Sequence, residues 1–336
     1  MCGAQTGYNW QAGRQRRLVG AKFYIYFRYQ HMTQLVHTRY WQASHIEDDK
    51  ANPNGLLISS YSRIMTYDLS TNGAPRTIFG GTNHGFKLYP GVEAEFDDIT
   101  GFRQIDNVTI LAVDKNNHCL RLLNRINNRT NAVAGQCQTS GRVDGSGKNA
   151  ARFASPHFII DGQYQNEYFI TDSGNGAIRI YDHNTSNVGT LVEGMQNPKE
   201  IVLNQNRTLI FVTVDQGVAK VNISAQSISF FPNNEKWLAY GITRLPYTSY
   251  LLVTHRGGTR GNTLTVFTEL GAQHQTICDG TYGTTDGQYS TCQINKPASV
   301  TFSYTLQALV IGAYYAIRHL DLTYQQDGRK TQPFFT

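Results

Sequence analysis

The chain has 336 residues, of which 40% are hydrophobic and only 16% are charged, so it can bury a large core and is not a disordered chain. Its net charge of +6 is spread along the sequence and is by itself no evidence for a nucleic-acid partner. No apolar stretch reaches the roughly 20 residues of a membrane span. The 31 Gly, 20 Tyr and 16 Phe favour β-structure broken by turns.

The N-terminal segment contains no recognisable signal peptide. It reads MCGAQTGYNWQAGRQRR and lacks a charged start, an apolar middle and a small-residue cleavage site. If the protein is secreted, its leader is therefore absent from this sequence. We expect residues 1–32 to be an extension or, through FYIYFRYQ from Phe23, the strand that closes a ring. Residues 33–336 are expected to form the main fold.

Six copies of a β-hairpin follow one another along the chain. Each combines an apolar strand, a short turn and a second strand such as Ile178-Arg-Ile-Tyr-Asp182. Self-similarity at a spacing of about 40 to 50 residues indicates a repeat architecture. The turns are expected near residues 61, 116, 174, 216, 258 and 314, ahead of strands that contain Ile64, Leu120, Ile178, Ala219, Leu264 and Ile317.

An inner strand precedes each hairpin. The pattern Phe153-Ala-Ser-Pro156 returns at Met195–Pro198 and at Ile294–Pro297, and a proline at the first residue of a strand forfeits no ladder hydrogen bond. With an outer strand after the hairpin, each unit has four strands. One such sheet cannot bury both of its apolar faces, whereas six sheets closed in a ring can. The sequence therefore predicts an all-β fold, a six-bladed β-propeller.

The repeat unit resembles the NHL repeat. The resemblance is carried by Asp-x-x-Asn-x-x-x-Arg at Asp114 and again at Asp172, and by Asp144-Gly followed by Ala-x-Phe-x-x-Pro at Ala151. It extends over roughly residues 50–325, with degenerate fourth and fifth copies. It implies a propeller of NHL-like four-stranded repeats, of the extracellular, cysteine-containing type, and says more about fold than about activity.

Five cysteines allow at most two internal bridges. Cys119 opens one hairpin strand and Cys137 closes the next, so the two should face each other across an antiparallel pair. Cys278 corresponds to Cys137 in the repeat, and we expect it to pair with Cys292 before the last inner strand. Two bridges indicate an oxidising compartment, with reduced buried thiols as the alternative. No spacing fits a Cys₄ zinc site, and Cys2 is left over.

Five Asn-x-Ser/Thr sequons are candidate glycosylation sites, and most are expected at turns. In an Asn-rich chain several arise by chance, but together with the cysteines they favour secretion. They begin at Asn107, Asn128, Asn184, Asn206 and Asn222.

The central channel is where enzymes of this fold, such as peptidyl amidating lyases, hold a metal with histidines from several blades. His157 follows an inner proline, and Lys199 and Glu200 lie at the corresponding place in the next copy, so these three are candidates for the channel mouth. We predict no metal ligand, catalytic residue or cofactor, with zinc or calcium in the channel left open. No ring of ligands arises from the aligned positions Thr100, His157, Lys199, Gly241 and Ala298.

The stretch THRGGTRGNT, from Thr254 to Thr263, reads as an enlarged fifth hairpin turn. It carries His255, Arg256 and Arg260 on glycine hinges, and guanidinium groups bind carboxylate, sulfate and phosphate. These three residues are the predicted loop contacts to a partner. The alternative is that this loop is simply exposed to solvent and contacts no partner.

Three functions are compatible with these features. The preferred one is a secreted or extracellular, non-catalytic binding or scaffold propeller that engages an extracellular protein or glycan through its loops and rim. A propeller enzyme, either an amidating-lyase-like metal enzyme or a calcium-dependent hydrolase, lacks recognisable ligands. RNA binding, as in cytosolic NHL proteins of the TRIM type, is disfavoured by the modest charge and the paired cysteines.

Overall fold

Short apolar strands separated by tight turns assemble into six antiparallel sheets, the blades of a β-propeller, which confirms the predicted fold class. Helix in the described part consists of single 3-10 turns at Gly91–Glu93 and Ser173–Asn175. No helix there is long and apolar enough to cross a membrane. The structure, a computed structural model, describes residues 23–24, 31–71, 73–232, 237–258, 261–278, 280–283, 285–288, 290–321, 323–326 and 332–333.

Two N-terminal strands and the first three blades follow one another in the chain. The N-terminal strands are β1 (Phe23–Tyr24) and β2 (His31–Gln42). Blade 1 consists of β3 (His45–Asp48), β4 (Gly55–Ser60), β5 (Arg63–Asp68) and β6 (Arg76–Phe79). Blade 2 consists of β7 (Ile99–Gln104), β8 (Thr109–Asp114), β9 (Cys119–Asn124) and β10 (Thr130–Ala134). Blade 3 consists of β11 (Gly145–Ser146) at its edge, β12 (Pro156–Asp161), β13 (Glu167–Asp172), β14 (Ala177–Asp182) and β15 (Asn187–Glu193).

The second half of the chain forms the other three blades. Blade 4 consists of β16 (Ile201–Leu203), β17 (Leu209–Val214), β18 (Gly217–Asn222) and β19 (Ser227–Phe230). Blade 5 consists of β20 (Trp237–Arg244), β21 (Tyr250–Gly258), β22 (Thr263–Thr268) and β23 (Gln273–Ile277). Blade 6 contains β24 (Gly287–Gln288), β25 (Ser299–Ser303) and β26 (Ala308–Asp321), and the last strands are β27 (Thr323–Gln326) and β28 (Gln332–Pro333).

The predicted hairpins agree with the strand pairing in blades 1 to 4, where β4–β5, β8–β9, β13–β14 and β17–β18 meet across the expected turns. In blade 5, β21 continues to Gly258, but its pairing with β22 ends at His255 with Thr263, so the hairpin turn is centred close to the predicted residue 258. In blade 6 the extended run from Ala308 to Asp321 is uninterrupted at the predicted turn, but its pairing partner changes there.

The N-terminal strand β2 closes the ring by joining blade 6. The first half of β26 pairs with β25, from Ala308 to Gly312, and the second half pairs with β2, as in Met32 with Leu320. First and last parts of the chain therefore share one sheet, which removes an open edge. Of the FYIYFRYQ stretch, Phe23–Tyr24 pairs with β27 in a separate sheet, and the residues after it lie outside the described part. The division at residue 32 stays a prediction.

A fully buried arginine in the third-strand position explains the Ile-Arg signature of the repeat. Arg121, Arg179 and Arg318 are all 0% exposed. Arg121 binds the Asp114 carboxylate at 2.9 Å and the carbonyl oxygen of Lys87 in the connection before its own blade. A buried guanidinium group needs several hydrogen-bond acceptors. Since one acceptor belongs to the blade and another to the connecting segment, the arginine holds that segment against the blade. The corresponding acceptors are Asp172 and Val143 for Arg179, and Asp286 and Gln293 for Arg318.

Both predicted disulfides are formed. The Cα atoms of Cys119 and Cys137 are 5.0 Å apart, and those of Cys278 and Cys292 are 4.6 Å apart. The first bridge links β9 to the segment after the outer strand of blade 2. The second lies in the buried cluster that also holds Met32 of the closing strand. Each bridge thus fixes the segment that leaves one blade and leads to the next.

Candidate functional site

A cavity of about 300 Å³ lies at one mouth of the central channel. Its walls come from blades 1, 2, 3, 5 and 6 and from β2, which places it on the propeller axis. Cavities of this size take one small ligand or one sugar-sized group. It is lined by Gln42, Ser44, Tyr61, Asp98, Thr100, Lys115, His157, Tyr240, Arg256, Ala298 and Tyr314.

Three of the lining side chains occupy one repeat position. In blades 1, 2 and 5, the pairing between the second and third strands ends one residue before Tyr61, Lys115 and Arg256, respectively. Because this point is where the chain turns near the axis, each of these blades delivers one side chain to the cavity. We therefore call the end of the propeller that carries these turns and the connections between blades the cavity face, and the other end the opposite face.

Hydrogen bonds between blades set the inner strands around the axis. In each, a threonine hydroxyl donates to a main-chain carbonyl of the following blade, and these threonines are buried. The bonds fix the backbone from which the cavity side chains project. Each is 2.6 Å long, and they run from Thr100 to His157, from Thr171 to Lys199 and from Thr213 to Tyr240.

Arg256 is the half-buried cation of the cavity. Its Nη2 donates to Oε1 of Gln42 at 2.9 Å, and its guanidinium carbon lies 4.8 Å from the centroid of the Tyr240 ring. Both contacts are with neutral groups and hold the guanidinium plane in place. Within the described residues, no carboxylate lies within 4.0 Å of Arg256, so its charge is available to an anion.

Two lysines near Arg256 are already paired: Lys115, which lines the cavity, and Lys199, which lies beside Tyr240. Lys115 Nζ lies 2.9 Å from Asp98, and Lys199 Nζ lies 2.7 Å from Asp215 while also standing 5.5 Å from the Tyr240 ring centroid. These two pairs are nearly neutral, and the positive charge of Arg256 remains. The cavity therefore combines one unpaired cation with tyrosine rings.

His157, a predicted channel-mouth residue, does line the cavity and is buried. Its Nε2 lies 3.3 Å from the Tyr240 hydroxyl. Burial, together with the charges of Lys115, Lys199 and Arg256, lowers the pKa of His157 well below its usual range. The imidazole is therefore neutral at physiological pH and acts as a hydrogen-bonding group rather than a cation.

Glu200 lies deeper than predicted. It is 1% exposed, and its Oε2 accepts a hydrogen bond of 3.0 Å from the backbone N–H of Ile242 in the next blade. Burial raises the pKa of Glu200 well above its usual range, and this outweighs the hydrogen bonds from the backbone of Ile242 and Val300. The protonated side chain ties blade 4 to blades 5 and 6 instead of facing the mouth.

The predicted fifth-turn loop is partly a strand. His255 is fully buried within β21, paired with Ala239 and Thr263, so the expectation that it contacts a partner from a loop is corrected. The hydrophobic surroundings of blade 5 account for this, since Leu251 and Val253 lie on the same strand. Arg256 faces the cavity, and Arg260 lies outside the described residues.

The five aligned positions that were compared as possible metal ligands do not all face the cavity. Thr100, His157 and Ala298 line the cavity, whereas Gly241 donates its N–H to Thr254 and Lys199 binds Asp215. Over the described stretches, no group of three or more His, Cys, Asp or Glu side chains is arranged to hold a metal ion. The carboxylate Asp98 that does line the cavity is paired with Lys115.

Several lining residues were missed by sequence reasoning, among them Gln42, Tyr61, Lys115, Tyr240 and Tyr314. The comparison used positions after the inner proline, and of these only Thr100, His157 and Ala298 line the cavity. A signal was present at another repeat position, the residue after the second strand, where the six copies hold tyrosine, lysine, arginine and polar residues.

No protein-family model matches the chain, and no curated protein matches it in sequence. Solved structures resemble it in fold. An auxiliary nutrient binding protein from Bacteroides thetaiotaomicron VPI-5482 is 11% identical, with a TM-score of 0.63 over 87% of this chain and 76% of that one. The NHL assignment therefore remains a resemblance of sequence pattern.

Two further structures with the same fold carry names that describe different functions. A streptogramin B lyase is 12% identical, with a TM-score of 0.55 over 88% of this chain and 99% of that one. A chain of a nidogen/laminin complex is 14% identical, with a TM-score of 0.54 over 76% of this chain and 84% of that one. At such identities the likeness establishes the propeller fold and no activity.

Proposed function

We propose that the protein is an extracellular, non-catalytic binding propeller that holds an acidic sugar group in the cavity at the channel mouth. The observation that carries this proposal is the half-buried guanidinium of Arg256, fixed by Gln42 and Tyr240 without a carboxylate partner among the described residues. A fixed, unpaired guanidinium is suited to a carboxylate or sulfate. Tyrosine rings beside it suit the apolar face of a sugar.

The extracellular assignment has separate support. Two disulfides that bridge neighbouring segments are typical of proteins that fold in an oxidising compartment. Structures of similar fold include a nutrient binding protein and a chain of a nidogen/laminin complex by name. A secreted NHL-like propeller with a glycan or protein partner fits these features better than a cytosolic RNA-binding one.

The test uses protein secreted from animal cells and an array of immobilised glycans that carry uronic acid, sialic acid, sulfate or no charge. We expect binding to charged glycans, and Arg256→Gln should weaken it about tenfold or more, since a charge-assisted hydrogen bond contributes about 1.5–3 kcal/mol. Arg76→Gln, at an exposed position on blade 1, is the matched control. Arg260, the other predicted contact, is tested in the same way.

Two results would replace the proposal. Binding to neutral glycans alone, or affinity unchanged by Arg256→Gln, would remove the role of the cavity cation. Turnover of an amidated-peptide precursor or an ester, abolished by changing a cavity residue such as His157, would favour the enzyme hypothesis. Salt-sensitive binding to single-stranded RNA by wild-type protein would favour the RNA-binding hypothesis.

A further inference from the structure

The five sequons all lie on the opposite face of the propeller. Neighbouring strands are antiparallel, so the turns from first to second and from third to fourth strands share one end of a blade, and the other turns share the other end. No sequon falls on the cavity face, and none falls outside blades 2 to 4. Asn107 and Asn206 lie in first-to-second turns of blades 2 and 4, and Asn128, Asn184 and Asn222 lie at third-to-fourth turns of blades 2, 3 and 4.

The side chains of these asparagines are free to carry a substituent. All five are exposed. Asn184 and Asn222 accept hydrogen bonds through Oδ1, from Asn166 Nδ2 at 3.1 Å and from Ser224 Oγ at 3.0 Å. Within the described residues, none of the five donates a hydrogen bond from Nδ2, the atom to which a glycan is attached.

Three asparagines of the cavity face differ in their use of Nδ2. Asn117, Asn175 and Asn197 use Nδ2 to bind carboxylates, at 2.9 Å to Asp114, at 2.7 Å to Asp172 and at 3.0 Å to Asp215. None of the three has Ser or Thr two residues later. These three amides therefore serve the fold, whereas the sequon amides of the opposite face have no structural use for Nδ2 in the described part of the chain.

We propose that N-linked glycans cover the opposite face of blades 2 to 4 and leave the cavity face bare for the ligand. In each modification Nδ2 loses a proton and forms a bond to C1 of a sugar. The bond from C1 to the diphosphate of a lipid-linked oligosaccharide donor breaks, and the lipid diphosphate leaves. Since such glycans are bulky and hydrated, a partner is confined to the cavity face or to blades 5, 6 and 1. Only the choice of the cavity as the ligand side rests on the proposed function.

The glycans themselves are tested without any ligand. The chain is expressed behind a secretion signal in animal cells, and its mass is measured before and after peptide-N-glycosidase treatment in ¹⁸O-water, with peptide mapping of the labelled sites. Glycans at three or more of the five asparagines are expected. Glycans at two or fewer would overturn the proposal, whatever the outcome of the glycan-array experiment. A variant with Gln at all five positions is the control for site assignment.

The bare face is tested with Asp98→Asn, which places an asparagine two residues before Thr100 and so creates a sequon at the cavity lining. Position 98 has a φ of +68°, which asparagine adopts readily. With a uronic-acid oligosaccharide from the array as probe, affinity should fall at least tenfold in the glycosylated variant. Peptide-N-glycosidase converts the glycan-linked asparagine to aspartate, the wild-type residue, and should restore binding.

Wild-type protein should bind this probe equally before and after the same enzyme treatment. Unchanged binding by glycosylated Asp98→Asn, or binding by the wild type that appears only after its glycans are removed, would show that the ligand does not use the bare face. If Asp98→Asn is not secreted, the wild-type comparison alone decides between these outcomes.

Discussion

The carboxyl group of Glu200 is buried between three blades, and its raised pKa means that the folded protein holds it protonated. The unfolded chain, in contrast, has a carboxyl pKa of about 4.3. At pH values between the unfolded and the folded pKa, folding is therefore accompanied by the uptake of a proton at Glu200. The stability that the protonated form contributes is complete below the unfolded pKa and is lost as the pH rises towards the folded pKa.

Glu200→Gln keeps an oxygen acceptor for the Ile242 N–H and removes this titration. We expect the variant to gain stability relative to wild type as the pH rises from the unfolded pKa of about 4.3 towards the raised pKa of the folded state, by up to about 1.4 kcal/mol per pH unit. Denaturant unfolding at several pH values measures the difference. Glu93→Gln, at an exposed position, should show no such trend, and a pH-independent difference for Glu200→Gln would contradict the assignment.

Single residues also mark the limit of what the sequence predicts. His157 was found at the channel mouth because it follows the inner proline, a local position that the repeat defines. Arg256 was recognised as a candidate anion contact, but its neighbours Gln42 and Tyr240 come from other parts of the chain. The contact with Gln42 depends on how β2 closes the ring, and no local pattern encodes it. His255 was misplaced because glycines nearby suggested a loop where the strand continues.

At the scale of strands and turns, the disulfide between Cys119 and Cys137 closes a segment with a sequence separation of 18 that contains the outer hairpin of blade 2. A bridge over a loop of this length stabilises the fold by roughly 3 kcal/mol, mainly by restricting the unfolded chain. We expect Cys119→Ala together with Cys137→Ala to lower the free energy of unfolding by about 2–4 kcal/mol in denaturant titrations.

Reducing agent offers an independent comparison for this bridge. Wild-type protein titrated with its disulfides reduced should lose at least as much stability as the double variant, because both bridges are then open. Equal stability of the double variant and oxidised wild type would show that the bridge does not restrain the unfolded chain.

Strand positions were largely predictable because each repeat carries its own signals. Apolar alternation, a turn and a proline are local, and they fixed the hairpins of blades 1 to 4. A ring-closing strand was one of two expectations for residues 1–32 and was placed at FYIYFRYQ from Phe23, whereas the outer strand of blade 6 is His31–Gln42, at the other end of the chain from β26. A pairing across nearly the whole sequence leaves no periodic trace, since β2 has no hairpin partner beside it.

The whole ring depends on that long-range pairing. Met32 on β2 is 0% exposed and lies in one buried cluster with Leu309, Leu320, Cys278 and Cys292 from blades 5 and 6 and the connection between them. Each blade packs its faces against two neighbours, so loosening the joint between the ends of the chain exposes apolar surface on both sides. Damage at this point is expected to spread through the propeller.

Met32→Ala should lower the free energy of unfolding by about 2–5 kcal/mol, as for other large-to-small changes in a core. Because the ring is closed by β2, we expect one cooperative transition in which fluorescence and circular dichroism change together, at a lower denaturant concentration than for wild type. Leu270→Ala, at a position that is 81% exposed, is the control and should leave the midpoint unchanged. Faster hydrogen exchange confined to β2 and β26, with the other blades as stable as before, would mean that the ring does not need its closing strand.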